Sequence, residues 1–195
     1  PMIYYPISTL MLAGIRDILI ITSPRDRDSF ENLLGNGSRW GLNFKYEIQK
    51  EPNGLAEAFL IGEEFLGKSD VALILGDNLF HGNELIPLLK NARNNRKGGT
   101  VFAYPVSDPE NYGVIQFDEK GNALKIEEKP NTPSSRYAVT GLYFYDDNVS
   151  GYLKDISNSE RGEMEITSLN EIYFQKRELK VEIMGRGMTW LDTGS

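Results

Sequence analysis

Short runs of apolar residues alternate with amphipathic stretches through the first half of the chain. Residues 71–75 are five consecutive apolar residues, a pattern typical of a strand that is covered on both faces of a mostly parallel sheet. Residues 17–22 and 100–104 predict further buried strands, and the alternation at 44–49 predicts a strand as well. The spacing of apolar residues predicts helices at 1–12, 28–34, 55–66 and 83–94. This order predicts a layered α/β sheet flanked by helices.

The pattern changes after residue 106, where predicted strands follow one another closely. Residues 113–117 and 123–126 flank a glycine-containing turn, which predicts a β-hairpin. Residues 137–145 are rich in aromatic and β-branched side chains and predict a longer strand. The remaining predicted elements are a helix at 164–175 and strands at 179–184 and 188–191. Without an internal repeat or linker in the sequence, residues 1–195 are expected to form a single domain.

Composition narrows the class of protein. A hydrophobic content of 40% and a charged content of 25% are ordinary for a globular chain of 195 residues. The net charge of −7 argues against a nucleic-acid partner, which would need a basic surface. Because the chain has no cysteine, disulfides and thiol catalysis are excluded, and a cytoplasmic location is expected. No apolar run approaches the roughly 18–20 residues of a membrane span, so no membrane partner is expected.

Two aspartates stand at predicted strand ends. Asp77 follows the apolar run at 71–75, and ligands of open α/β sheets bind beyond the carboxyl ends of strands. A turn or a helix cap is the alternative interpretation of Asp77 taken alone. Asp192 follows the predicted strand at 188–191. Two such carboxylates predict a Mg²⁺ site shared with substrate phosphates, provided that the fold brings them together.

Four further residues suit the binding of a nucleotide and a sugar phosphate. The amide of Gln49 matches the N3–H and O4 groups of uracil or thymine, and Gly54 lets the backbone approach a base or phosphate closely. The alternative is a surface glutamine before an ordinary turn. Lys129 suits a phosphate and Glu128 suits sugar hydroxyls, unless both belong to a charged strand end that proline terminates. His81, the only histidine, is interpreted as a loop residue.

Taken in order, short segments along the whole chain resemble the sugar-1-phosphate nucleotidyltransferase family. The segments are Pro-Met-Ile-Tyr-Tyr-Pro at 1–6, Pro-Asn-Gly-Leu-Ala at 52–56, Leu-Gly-Asp-Asn at 75–78, Tyr-Gly-Val at 112–114, Glu-Glu-Lys-Pro at 127–130, Tyr-Ala-Val-Thr-Gly-Leu-Tyr at 137–143, Arg-Gly-Glu at 161–163 and Trp-Leu-Asp-Thr-Gly at 190–194. Each segment is short, but the set is specific. The resemblance implies a Rossmann-like nucleotidyltransferase fold with a mixed, mostly parallel sheet and a hairpin-rich, sugar-binding second half.

The resemblance also implies a reaction: Mg²⁺-dependent transfer of a thymidylyl group from dTTP to glucose 1-phosphate, giving dTDP-glucose and pyrophosphate. Asp77 and Asp192 would hold Mg²⁺, and Lys129 would join them as a catalytic residue on the sugar phosphate. The nucleotide would contact Asp77 together with Gln49, Pro52 and Gly54. The sugar-phosphate pocket would comprise Asn78, Gly113, Glu128, Lys129, Val139, Tyr143 and Trp190. For Trp190, an ordinary core position is the alternative interpretation.

Two other functions stay open on the sequence. A UTP-dependent glucose-1-phosphate uridylyltransferase is one, since the hydrogen bonds of Gln49 do not distinguish thymine from uracil. A non-catalytic nucleotide-sugar-binding regulatory protein is the other. The family's Gly-Gly-x-Gly-Thr-Arg loop with its lysine, its first strand and its helical C-terminal region have no counterpart in the sequence. We therefore expect a domain truncated at both ends, inactive and poorly folded alone, from a protein that forms a homo-oligomer (a homotetramer by likeness) and serves dTDP-rhamnose biosynthesis.

Overall fold

The computed structural model describes residues 1–159 and 162–194. The described helices are α1 (Tyr4–Leu12), α2 (Arg27–Leu34), α3 (Glu57–Ile61), α4 (Glu63–Leu66), α5 (Leu85–Asn94), α6 (Val149–Tyr152) and α7 (Ile166–Gln175). The described strands are β1 (Asp17–Thr22), β2 (Asn43–Ile48), β3 (Val71–Ile74), β4 (Asn78–Gly82), β5 (Gly99–Pro105), β6 (Gly113–Phe117), β7 (Ala123–Glu128), β8 (Tyr137–Tyr145), β9 (Leu179–Ile183) and β10 (Met188–Asp192). Within these ranges, no helix is long and apolar enough to cross a membrane.

A six-stranded mixed sheet forms the centre of the structure. Five of its strands follow the order β7-β6-β8-β5-β9, and β3 pairs with β8. Including the two-stranded pairs β1–β2 and β4–β10, the described residues contain two parallel and five antiparallel pairings. The predicted α/β class with helices around a mixed sheet is confirmed. The parallel share is smaller than expected, because β8 runs antiparallel to β3, β5 and β6.

Strand β3 occupies a different place from the one predicted. It pairs with β8 alone, and all four of its residues are only half-buried. Its other side borders a cavity of about 1040 Å³, whose opposite wall includes β1. The expectation of a strand in the middle of the sheet is therefore wrong for β3 as described. None of the predicted site residues lines this cavity, so the candidate site lies elsewhere.

The residues after Asp77 form a strand where the sequence predicts a loop. Strand β4 pairs antiparallel with β10, and Asn78 lies opposite Asp192. Asn78 and Phe80 are buried while His81 is exposed, as expected for alternate faces of a strand. The loop interpretation of His81 is therefore wrong. The strand exists because of its long-range pairing with β10, which the local sequence does not reveal.

Both faces of the six-stranded sheet are covered by apolar side chains. Because side chains alternate along a strand, Val139 and Tyr143 of β8 join the cluster beneath α7, and Leu142 joins the cluster beneath α5. The predicted hairpin is confirmed as β6 and β7. The helix predicted at 55–66 is divided into α3 and α4 at Gly62, where a Cβ would lie 3.1 Å from the Leu19 side chain.

Candidate active site

Asp77 and Asp192 lie side by side at one end of the β4–β10 pair. Oδ2 of Asp77 and Oδ1 of Asp192 both lie within 3.4 Å of the position that a Cβ would take on Gly194. The backbone N–H of Gly194 donates to Oδ1 of Asp192 at 3.0 Å. The backbone N–H and the hydroxyl of Thr193 donate to the carbonyl oxygen of Asp77 at 3.0 and 2.8 Å. The fold therefore brings together two carboxylates that are far apart in the sequence.

The carboxylate pair fits a hard divalent cation. Mg²⁺ prefers oxygen ligands and is usually held by one or two carboxylates, with water and substrate phosphates completing its coordination. In residues 1–159 and 162–194, no group of three or more histidine, aspartate or glutamate side chains could hold a metal. The pair thus suits an ion shared with a phosphorylated substrate better than a permanent structural ion.

The side chain of Asn78 connects Asp77 to strands β8 and β10. Its Oδ1 accepts hydrogen bonds from the indole N–H of Trp190 at 2.6 Å and from the backbone N–H of Gly141 at 3.0 Å. Its Nδ2 donates to Oδ1 of Asp77 at 2.9 Å. Because both groups facing Oδ1 are donors only, the amide has one satisfactory orientation. At 1% exposure, Asn78 lies behind Asp77 and not at the surface of the predicted sugar-phosphate pocket.

Trp190 lies in the core beneath the carboxylates. Its side chain is buried, and its ring packs edge-on against Tyr104 and Tyr112 at centroid distances of 6.0 and 5.4 Å. Together with the hydrogen bond to Asn78, this position agrees with the alternative interpretation of Trp190 as a core residue.

Gly113, Glu128 and Val139 lie together on neighbouring strands. Gly113 pairs with Glu128 in the hairpin register. A Cβ on Gly113 would lie 3.4 Å from Oε2 of Glu128 and 3.8 Å from Cβ of Val139. Thr167, on α7, donates a hydrogen bond to the same Glu128 oxygen. The sequence does not single out Thr167, because one hydroxyl on an amphipathic helix carries no local signal for this contact.

Tyr143 also belongs to this region, although its side chain lies in the core. It is 4% exposed and stacks on Tyr145 at a centroid distance of 6.2 Å. Burial and the nearby charge of Glu128 both raise the pKa of the Tyr143 hydroxyl well above its ordinary value. The hydroxyl is therefore protonated at neutral pH.

Lys129 follows β7 with an uncommon backbone conformation. Its φ of +39° lies in the left-handed region, and its N–H donates to the carbonyl of Tyr112 at 3.1 Å. A left-handed backbone in a residue other than glycine, asparagine or aspartate is strained and clusters at functional sites. The Lys129 side chain is exposed, so its ammonium group is available to a ligand.

A loop at residues 49–57 contains the predicted nucleotide-binding residues. Nε2 of Gln49 donates to the carbonyl oxygen of Gly54 at 3.1 Å and to Oε2 of Glu57 at 2.6 Å. Pro52 is exposed at the outside of the loop. Gly54 has a φ of +106°, and a Cβ there would overlap the backbone of Met164. The structure thus explains this glycine by a close approach within the chain.

The carboxylate pair, the residues around Glu128 and the loop at residues 49–57 are connected to one another. Gly141 links Asn78 to β8, two residues from Val139, which is about 7 Å along a strand. The backbone of Met164 holds the loop on either side of Gly54: its N–H donates to the Asn53 carbonyl at 2.6 Å, and its carbonyl accepts from the Ala56 N–H at 3.1 Å. Three residues later, Thr167 donates a hydrogen bond to Glu128. Arg161, the first residue of the Arg-Gly-Glu segment, lies outside the described residues.

The mixed α/β sheet and the carboxylate pair at strand ends agree with the nucleotidyltransferase class. A family model for nucleotidyl transferases matches residues 1–195, and the chain belongs to this family. It is 55% identical over 195 residues to the glucose-1-phosphate thymidylyltransferase of Neisseria gonorrhoeae and 51% identical to that of Mycobacterium tuberculosis H37Rv. These matches cover the whole chain and 68% and 67% of the two relatives.

Solved structures agree with this assignment. A crystal structure described as a glucose-1-phosphate thymidylyltransferase from Bacillus anthracis with sucrose matches at a TM-score of 0.90 and 37% identity, over the whole chain and 78% of that protein. A UDP-glucose pyrophosphorylase complexed with UDP-glucose matches at a TM-score of 0.81 and 26% identity, over the whole chain and 82% of that protein.

Proposed function

We propose that the protein transfers a thymidylyl group from dTTP to glucose 1-phosphate and releases pyrophosphate. The relatives at 51–55% identity carry the name of this activity, whereas the matched UDP-glucose pyrophosphorylase is more distant, at 26% identity. The observation that carries the proposal is the meeting of Asp77 and Asp192 around Gly194. A shared divalent cation suits the charge that accumulates when a sugar phosphate attacks a nucleoside triphosphate.

Asp77 and Asp192 would hold the cation, which we propose to be Mg²⁺. When bound, Mg²⁺ neutralises phosphate charge and fixes the α-phosphate for in-line attack. The protein's part is to keep both carboxylates in place, which Asn78 does at Asp77 and the Gly194 N–H does at Asp192. Positioning of this kind supplies a large share of the rate enhancement in phosphoryl-type transfers.

The sugar phosphate would occupy the group formed by Gly113, Glu128, Val139 and Tyr143, with Lys129 on the phosphate. Glu128 accepts a hydrogen bond from Thr167, which fixes the carboxylate beside Gly113. A phosphate monoester has a second pKa near 6, so its oxygen attacks without a protein base. The new bond joins this oxygen to the α-phosphorus of dTTP, and the bond to the departing pyrophosphate breaks.

Gln49, Pro52 and Gly54 would frame the thymine. Gln49 is half-buried, and its Oε1 receives no hydrogen bond from the described residues. This acceptor suits the N3–H of a thymine or uracil ring. The backbone N–H of Gly54, which has no acceptor within the described residues, suits a ring carbonyl.

The proposal is tested by pyrophosphate release from dTTP and glucose 1-phosphate, using the protein expressed from its complete gene. Asp77→Asn and Asp192→Asn should each lower kcat at least about 10³-fold, since each removes a cation ligand. Asp147→Asn, at an exposed position, is the matched control. Binding of dTDP-glucose without pyrophosphate release would instead support the regulatory protein. A higher kcat/KM for UTP than for dTTP would support the uridylyltransferase.

Assembly and location belong to the same proposal. We place the protein in the cytoplasm as a homo-oligomer, because its substrates are charged metabolites and its family likeness implies assembly. Light scattering after size-exclusion chromatography of the protein from the complete gene tests the second point. A monomer at micromolar concentration would contradict it.

A further inference from the structure

Glu57 makes contacts that determine how the side chain of Gln49 is oriented. It lies at the first position of α3, and its two carboxylate oxygens face different amides. Oε2 accepts from Nε2 of Gln49 at 2.6 Å, and Oε1 accepts from Nδ2 of Asn53 at 2.9 Å. The second proton of Gln49 Nε2 goes to the carbonyl oxygen of Gly54 at 3.1 Å.

The orientation of the Gln49 amide follows from the chemistry of its two partners. An ionised carboxylate and a backbone carbonyl can only accept hydrogen bonds. A flipped Gln49 would direct its Oε1 at both acceptors and lose two bonds, one of them charge-assisted. Nε2 therefore faces the protein, and Oε1 is the atom left for a ligand.

We propose that Glu57 is a positioning residue for nucleotide selection. By holding Nε2 of Gln49, it makes the exposed end of that side chain an obligate acceptor. The pocket then accepts pyrimidines with a protonated N3, such as thymine and uracil, and rejects cytosine, whose N3 is itself an acceptor. This inference rests on the proposed function only in placing the base at Gln49.

The same reasoning separates two kinds of selectivity. Thymine and uracil present the same N3–H, so Glu57 does not distinguish them. Cytosine would place one lone pair against another at N3. A site built around a hydrogen bond commonly rejects an analogue that lacks the partner group by about 10⁴–10⁵-fold.

The test compares kcat/KM for dTTP and dCTP in the protein from the complete gene. In Glu57→Gln the neutral amide can donate to Oε1 of Gln49, so the flipped orientation becomes accessible. We expect the dTTP:dCTP ratio to fall at least tenfold, with the dTTP:UTP ratio unchanged within twofold. Glu63→Gln removes the same charge from an exposed position on α4 and should leave both ratios unchanged.

The outcomes separate this inference from the proposed function. If the unchanged protein does not use dTTP, the proposed function fails. If it uses dTTP and Glu57→Gln keeps the dTTP:dCTP ratio within twofold, the role of Glu57 fails while the function stands.

A readout without turnover covers the case in which Glu57→Gln folds poorly. In ¹⁵N-glutamine spectra of the protein with unchanged Glu57, the side-chain N–H protons of Gln49 should exchange at least tenfold more slowly than those of exposed Gln116. The Gln49 signals are assigned by their loss in Gln49→Ala. Equal exchange at the two glutamines would overturn the inference.

Discussion

Replacing Gly194 with alanine tests whether the carboxylate pair is the catalytic centre. The new Cβ would fall between Asp77 and Asp192 and overlap Oδ2 of Asp77. Gly194 is exposed and its φ lies outside the left-handed region, so alanine fits the backbone without strain. The change therefore acts on the geometry of the carboxylates and hardly on folding.

The size of the effect follows from the displacement needed. Moving the Asp77 oxygen to an ordinary contact distance shifts it by about 1 Å, and a misplacement of about 1 Å costs about 10²-fold in rate. We expect kcat to fall by about that factor and the Mg²⁺ concentration for half-maximal rate to rise. The free energy of unfolding should change by less than about 1 kcal/mol, since compatible glycine-to-alanine changes act mainly on the unfolded chain.

The assay measures pyrophosphate release over a range of Mg²⁺ concentrations, with urea unfolding of each variant. Gly185→Ala is the matched control, because the nearest atom to its new Cβ would be 3.8 Å away, in the Glu84 carboxylate. The reasoning is refuted if Gly194→Ala keeps kcat within threefold and an unchanged Mg²⁺ dependence.

Substitutions at three further positions test other parts of the structure. Gly54→Ala should lower the free energy of unfolding by more than about 2 kcal/mol in urea, because φ is +106° and the Cβ overlaps the Met164 backbone; an unchanged midpoint would contradict this. Lys129→Met and Lys129→Gly should both lower kcat/KM for glucose 1-phosphate by about 10–100-fold. The glycine variant should be the more stable by about 1 kcal/mol, because φ is +39°; equal stability would show that this backbone is not strained. Hydrogen bonds from the Asn122 side chain and backbone lower the pKa of Asp118. The stability that Asp118 contributes is therefore present above its unfolded pKa of about 3.9 and is lost as the pH falls through the lower folded value. Asp118→Asn should show a smaller drop in Tm between pH 5 and pH 2.5, and an identical drop would exclude this role.

The local sequence pattern predicts the strands that consist of an unbroken run of apolar, aromatic or β-branched residues. The apolar run of β1 and the aromatic-rich run of β8 have the predicted bounds, 17–22 and 137–145. β4 was missed because Asn78 and Gly82 are turn residues in most settings, and only pairing with β10 makes them a strand. The edge position of β3 was missed for the same reason, since strand neighbours are set by long-range contacts.

The candidate site also contains residues that the sequence predicts and residues that it does not. Charged residues at strand ends were visible in the sequence, and the fold does bring Asp77 and Asp192 together. The residues that orient Glu128 and Gln49 were not visible, since Thr167 and Glu57 carry ordinary helix side chains whose partners lie on other elements. A hydrogen bond between distant side chains leaves no periodic trace in the sequence.

The hydrogen bonds that hold Asp77 in place show why a longer sequence motif would not predict the orientation of the site residues. The orientation of Asn78 depends on the Gly141 N–H in β8 and the Trp190 indole in β10, two donors from well-separated parts of the chain. Either donor alone would leave Oδ1 under-satisfied, and burial makes that costly. The position of the Asp77 carboxylate therefore depends on the pairing of β4 with β10 and on the hydrogen bond between the Asn78 side chain and β8. The Leu-Gly-Asp-Asn segment by itself identifies Asp77 as a candidate, but the orientation of its carboxylate is fixed only by contacts formed in the folded protein.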